Sequence, residues 1–121
     1  MINSGKTIIA GSRGIVDYTL VEEAIKESNF CIQEVVSGTA KGVDKLGEEY
    51  AIKHCIPLSR FPILLSDWNK HGRFVGYARN SQMADYADSL IALWDGKSKG
   101  TKHMIDDAKK KGLNVFVKII G

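Results

Sequence analysis

Absences narrow the reading of this sequence first. No apolar run approaches the roughly twenty residues that a membrane-spanning helix needs, and Met1 to Gly5 is too short and too polar for a secretory signal. Both point to a cytoplasmic protein with no membrane partner. Cysteine occurs twice, at Cys31 and Cys55, with no Cys-x-x-Cys or Cys/His cluster around either. Buried free thiols are the expectation, and no metal site is expected. Charge of one sign is scarce too. The 17 basic residues outnumber the 14 acidic ones by a net +3, too mild an excess to argue for nucleic acid alone. Neither G-x-G-x-x-G nor G-x-x-x-x-G-K-[ST] occurs, which disfavours a dinucleotide fingerprint and a Walker A loop. No internal repeat, low-complexity tract or interdomain linker interrupts the 121 residues, a length that suits one domain, 1–121, around one core.

What is present is a regular alternation. Lys6 to Ala10 reads as a first strand, Gln33 to Val36 as a second and Leu58 to Phe61 as a third. Ser89 to Trp94 is a short apolar run, as a parallel strand covered on both faces would be, and Leu113 to Ile120 closes the sheet, with Val115, Val117 and Ile119 alternating against Asn114, Phe116 and Lys118. Between the strands lie helical periodicities. Asp17 is placed to cap a helix whose buried stripe is Leu20, Val21, Ala24 and Ile25. Val43, Leu46, Tyr50 and Ala51 mark a second helix, which stops before Pro57. Ala78, Met83, Ala84 and Ala87 mark a third; Met104, Ile105 and Ala108 mark a last one, ended by Gly112. The 109–111 lysine run suits that helix's C-terminus. Alternating strands and helices predict an α/β, Rossmann-like, three-layer domain: a mostly parallel five-stranded sheet, order 3-2-1-4-5, with helices on both faces and right-handed crossovers.

That order has a functional consequence. Gly-rich turns follow strands one, two and four, and they converge at the carboxyl edge, where open α/β sheets bind ligands. The first offers Gly11, Ser12 and Arg13. The second offers Ser37, Gly38, Thr39 and, at the helix start, Asp44, a candidate for ribose hydroxyls. The third offers Gly96, Ser98, Gly100 and Thr101, with Arg79 and Asn80 on the preceding helix. Glycine lets backbone approach an anion, helix N-termini supply free N–H groups, and arginine gives a bidentate charge. These residues are the expected phosphate site. Arg79 has a second reading, a salt bridge to Asp85 or Asp88. Trp94 is either a base-stacking ring or a core aromatic, and Trp68, Phe74 and Tyr77 line either a base pocket or a dimer surface. His54, His71 and His103 read as surface residues.

GSR after strand one, SGTAKGVD after strand two and the stretch DWNKHGRFVGYARNSQMADYADSLIALWDGKSKGT together resemble the SLOG superfamily of Rossmann-like proteins, within it the YspA/CpYpsA-related branch. The resemblance runs from Thr7 to Val117. It implies a nucleotide or nucleotide-derived ligand, bound by a sensor or sequestering protein, and no cofactor. Relatives by resemblance include the Lonely Guy (LOG) phosphoribohydrolases, whose signature is a helix arginine, a strand and P-G-G-x-G-T-x-x-E. Arg79, Gly96, Gly100 and Thr101 match its phosphate-binding half, whereas Met104 stands at the catalytic glutamate and Trp94-Asp95-Gly96 replaces Pro-Gly-Gly. A thioether moves no proton, so LOG-type catalysis is not implied, unless Asp44, Asp67 or Asp95 supplies the carboxylate. An N-glycosidase of another design is the alternative, and DprA-like single-stranded DNA binding a further one, which the modest charge and few aromatics disfavour. A homodimer or higher homo-oligomer through the long 62–76 connector is expected.

Overall fold

The computed structural model describes residues 2–63 and 74–120. In chain order the elements are β1 (Ile2–Gly11), α1 (Tyr18–Ser28), β2 (Phe30–Ser37), α2 (Val43–Lys53), β3 (Leu58–Arg60), α3 (Phe74–Tyr86), β4 (Ser89–Trp94), α4 (Lys99–Lys110) and β5 (Asn114–Ile119). The five strands form one parallel sheet in the order β3-β2-β1-β4-β5, the order expected from the sequence. Asp67, Trp68, His71 and Arg73 of the connector lie outside the described residues.

The apolar strand residues sort by parity because successive side chains leave opposite faces. Ile8, Ala10, Val36, Leu90 and Ala92 pack with Met83, Ala84, Met104, Ile105 and Ala108 of α3 and α4. Ile9, Val35, Ile91 and Leu93 pack with Val21, Ala24, Ile25, Val43 and Ala51 of α1 and α2. Every residue of β4 up to Leu93 is buried, which explains why its sequence is an unbroken apolar run. Asp17 caps α1 by accepting from Thr19 N at 3.0 Å, as its position suggested.

Several expectations change. β1 begins four residues earlier than Lys6, with a register shift around Gly5, where Asp88 Oδ2 accepts from Lys6 N at 2.9 Å. β5 is not a one-sided strand: Phe116 joins the α1/α2 layer, and Ile119, at the end of this edge strand, is 60% exposed. Ala78 is exposed, so α3 buries Asn80, Met83 and Ala84 instead. The buried stripe of α2 includes two carboxylates, Asp44 and Glu48, while Leu46 and Tyr50 are half-buried. Cys31 and Cys55 are both exposed rather than buried. Cys31 lies opposite Asn3 near the start of β2 and Cys55 in the turn that ends α2, so both stand at the ends of elements rather than in their packed interiors.

One glycine fixes how closely α2 approaches the sheet. A Cβ on Gly47 would come within 2.8 Å of Ile9 Cβ. Gly47→Ala should therefore lower unfolding free energy by about 1–3 kcal/mol through overpacking, despite alanine's better helix propensity. Urea unfolding measures it, and an unchanged midpoint would contradict the close approach.

Candidate functional site

The three Gly-rich turns and the N-terminal turns of α3 and α4 enclose a cleft of about 580 Å³ at the carboxyl edge of the sheet. It lies where β1 and β4, neighbours in space, send their chains to opposite sides, which is the topological switch point.

The first turn is tied to β4. Ser12 N donates to Leu93 O at 3.1 Å, and Ser12 Oγ accepts from Asp95 N at 3.2 Å. Gly11 is required there, since a Cβ would sit 2.2 Å from Leu93 O. Arg13 and Gly14 are left exposed on the cleft wall.

The second turn is held from behind. Ser37 Oγ donates to Glu48 Oε2 at 2.6 Å and accepts from Thr39 N at 3.0 Å, while Arg60 Nε donates to Glu48 Oε1 at 3.0 Å. Burial raises the pKa of Glu48, but the Ser37 and Arg60 hydrogen bonds, with the charges of Arg60 and Lys45, hold the carboxyl below its ordinary value. This network keeps Thr39 at φ 62, a left-handed conformation that a β-branched residue rarely adopts. The turn thereby presents Gly38 O and Ala40 N inward. Arg79 Nη1 donates to Gly38 O at 2.7 Å, and Ala40 N donates to Asp44 Oδ2 at 3.2 Å.

Asp44 and Arg79 face each other across Gly38. A Cβ there would lie 2.8 Å from Asp44 Oδ2 and 3.0 Å from Arg79 Cζ. Burial pushes the Asp44 carboxyl above its ordinary value, against the lowering effects of the Ala40 hydrogen bond and the Arg79 charge. Burial also lowers the pKa of Arg79, partly offset by Asp44, and among the described residues its buried Nε has no hydrogen-bond partner. The alternative reading of Arg79 is overturned: Asp85 pairs with Lys111 at 2.8 Å, and Asp88 binds the β1 backbone.

The third turn differs most from expectation. Asp95 Oδ1 accepts from both Lys97 N and Ser98 N at 2.8 Å, so the turn's own carboxylate takes the N–H of Ser98, one of the residues expected to bind phosphate. These bonds, Ser98 first, depress the pKa of Asp95. Ser98 caps α4, with Thr101 N 3.4 Å from its Oγ, and Gly100 is already helical rather than part of the turn. Trp94 Nε1 donates to Ser98 O at 3.0 Å while its ring packs on the core, so Trp94 braces the turn instead of offering a stacking face. Asn80 links the two helices: its Nδ2 lies 3.3 Å from Gly100 O and 3.3 Å from His103 Nδ1. His103 in turn stacks on Tyr77, centroids 4.2 Å apart and planes at 14°.

Of the residues expected in the site, the structure brings Gly11, Ser12, Arg13, Asp44, Arg79, Asn80, Ser98, Gly100 and Thr101 into the cleft wall. Ser37, Gly38, Thr39 and Gly96 stand behind it, shaping the turns. Tyr77, one of the aromatics considered for a base pocket, does line the cleft, whereas sequence reasoning missed the wall positions Gly76 and Lys99 and left Gly14 and Asp95 outside the binding set. The pattern Asp-Gly-Lys-Ser was a readable signal for Asp95, because aspartate commonly accepts from backbone N–H two and three residues on. Phe74 lies outside the cleft, 71% exposed. Among the described residues no group of three His, Cys, Asp or Glu is placed to hold a metal.

The glycines separate into two kinds. Gly5, Gly42, Gly96 and Gly112 have positive φ, and a Cβ on Gly11, Gly38 or Gly47 would collide with a neighbour. Gly14, Gly76 and Gly100 have neither reason: among the described residues an added Cβ meets nothing closer than Ile63 Cδ1, 4.0 Å from that of Gly76. All three line the cleft.

Asp44 gives a pH test of this geometry. With its folded-state pKa raised above 3.8, the native fold keeps a proton that the unfolded chain releases, so the carboxyl's contribution to stability falls as pH rises through that window. Asp44→Asn removes the effect. Its stability relative to the parent should climb as pH increases from about 3 to neutrality, read by urea unfolding across pH; a difference that stays flat or declines would contradict the buried carboxyl.

No family model matches the chain. Among solved structures it is similar to DNA processing protein A (DprA) from Streptococcus pneumoniae, with a TM-score of 0.69 at 18% identity, over 96% of this chain and 50% of that one. The likeness is one of fold, a Rossmann-like α/β architecture, and this chain spans half the length of that protein. By sequence the chain is 31% identical over 123 residues to the Gene 61 protein of Mycobacterium phage D29, covering 92% of this chain and 94% of that protein. The chain therefore belongs to the family of the phage D29 Gene 61 protein.

Proposed function

We propose that the cleft binds a nucleotide or nucleotide-derived ligand through its phosphate, and that the protein acts as a sensor or sequestering protein of the SLOG type. The observation that carries this reading is the set of three glycines, Gly14, Gly76 and Gly100, that the described fold does not need and that all face the cleft. Gly76 and Gly100 lie in helices, where glycine costs stability relative to alanine. A ligand resting on bare backbone gives them a use. The charges agree: Arg13, Arg79 and Lys99 line the same wall, and the start of α4 adds its dipole. Because Asp95 occupies Lys97 N and Ser98 N, the phosphate belongs beside Arg79 and the Lys99–Gly100 end of α4, not inside the Asp95 turn.

Binding is favoured over LOG-type turnover by Met104, 1% exposed within the α3/α4 core layer. The position of the LOG glutamate is packing here, and no side chain at that site reaches the cleft.

Two variants test the site by isothermal titration with AMP, other nucleoside monophosphates and cyclic nucleotides, with chromatography for released base. Arg79→Ala should weaken binding by about 1.5–3 kcal/mol, the worth of a charged hydrogen bond. Gly100→Ala should keep or raise the melting temperature while weakening binding about tenfold or more, opposite to the destabilising effect at Gly47. Unchanged affinity in both folded variants would remove the site. Released base would replace the binding reading with an enzymatic one, and binding only to single-stranded DNA with a steep salt dependence would replace it with nucleic-acid binding.

A further inference from the structure

The cleft wall holds one aromatic ring among the described residues, Tyr77. Its orientation is fixed by a relay across two helices. Asn80, 4% exposed, is bonded to Gly100 O and to His103 Nδ1, and the His103 ring lies nearly parallel to the Tyr77 ring at 4.2 Å. One face of Tyr77 is therefore taken, and the residue lines the cleft. Beside it, Gly76 leaves the first turn of α3 without a side chain, its nearest would-be contact being Ile63 Cδ1 at 4.0 Å. A flat ring lying over Gly76 would touch the aromatic surface on one side and the Ile63 side chain on another.

We infer that Tyr77, backed by His103, is the platform for the ligand's base, so that the cleft selects nucleotides over other phosphorylated sugars. This rests on the phosphate reading above and adds to it: Arg79 and the start of α4 take the phosphate, and Tyr77 with Gly76 takes the base. Of the other aromatic candidates among the described residues, Trp94 braces Ser98 and Phe74 lies outside the cleft. Stacking on a pre-positioned ring has little ordering cost and is tolerant of base identity. Preference for one base over another is therefore expected to be small next to the preference for any base over none.

The test compares the four nucleoside 5′-monophosphates with ribose 5-phosphate, which carries the same phosphate and sugar without a base. On the native protein the nucleotides should bind about tenfold tighter or more, as stacking of one base implies. Tyr77→Leu should bring them down to the level of ribose 5-phosphate and leave ribose 5-phosphate unchanged, whereas Tyr77→Phe should retain the gap. Equal affinities on the native protein would overturn the platform while leaving the phosphate site standing, and that comparison needs no variant to fold. A gap that survives Tyr77→Leu would overturn it too. If neither class of ligand binds, the phosphate reading fails and the platform with it.

Discussion

Arg79 reaches from α3 to the carbonyl of Gly38 at 2.7 Å, and the rest of the cleft depends on that bond. It joins the helix that precedes β4 to the turn that follows β2, two elements separated in the sheet by β1. It also places a guanidinium opposite Asp44, with Gly38 between them because only glycine leaves room. Neither charge is used in a surface ion pair. Both are partly stripped of water, which raises the pKa of one and lowers that of the other, and the buried Arg79 Nε meets no acceptor among the described residues. A wall of this kind has electrostatic capacity that the fold itself does not use. An anion entering the cleft would meet a cation already positioned and already desolvated, so little ordering cost remains to be met on binding.

Around that contact the turns divide the work. The β2 turn is a built support: Glu48, Ser37 and Arg60 hold Thr39 in a left-handed conformation so that the chain can fold back over the end of the sheet. The β4 turn is self-satisfied through Asp95, which makes it a rigid rim. The β1 turn, tied through Ser12 to both β4 and Asp95, leaves Arg13 and Gly14 exposed. Glycines that no described neighbour requires, one in the β1 turn and two in the first turns of α3 and α4, are a costly arrangement for a protein that only has to fold, and a coherent one for a protein whose backbone must meet a ligand.

The sheet was legible in the sequence because strands covered on both faces must be apolar throughout, and Ser89 to Leu93 has no other reading at that length. Strand order followed from the alternation with helices. Gly11, Ser12, Arg13 and Arg79 were legible as wall residues, since strand ends in such a sheet point to one edge. Much of the remainder depends on partners distant in sequence. Nothing local says that Ser37 turns away to Glu48, that Gly47 is needed by Ile9 while Gly100 is needed by no described neighbour, or that Tyr77 meets His103. Cys31 and Cys55 misled because cysteine is usually buried, whereas here both are exposed at the ends of elements. Ile119 misled because alternation predicts which face a residue takes and not whether that face is covered at the end of an edge strand.

Titrating AMP into uniformly ¹⁵N-labelled protein, with the backbone amides followed one by one, tests the cleft as a nucleotide site more directly than any variant. Saturable shifts should be confined to the cleft, at Arg13, Gly14, Gly76, Tyr77, Arg79, Lys99 and Gly100, with Gly47 under α2 and Gly112 after α4 unmoved. Shifts centred on the open edge of β5, or none at millimolar ligand, would contradict that assignment.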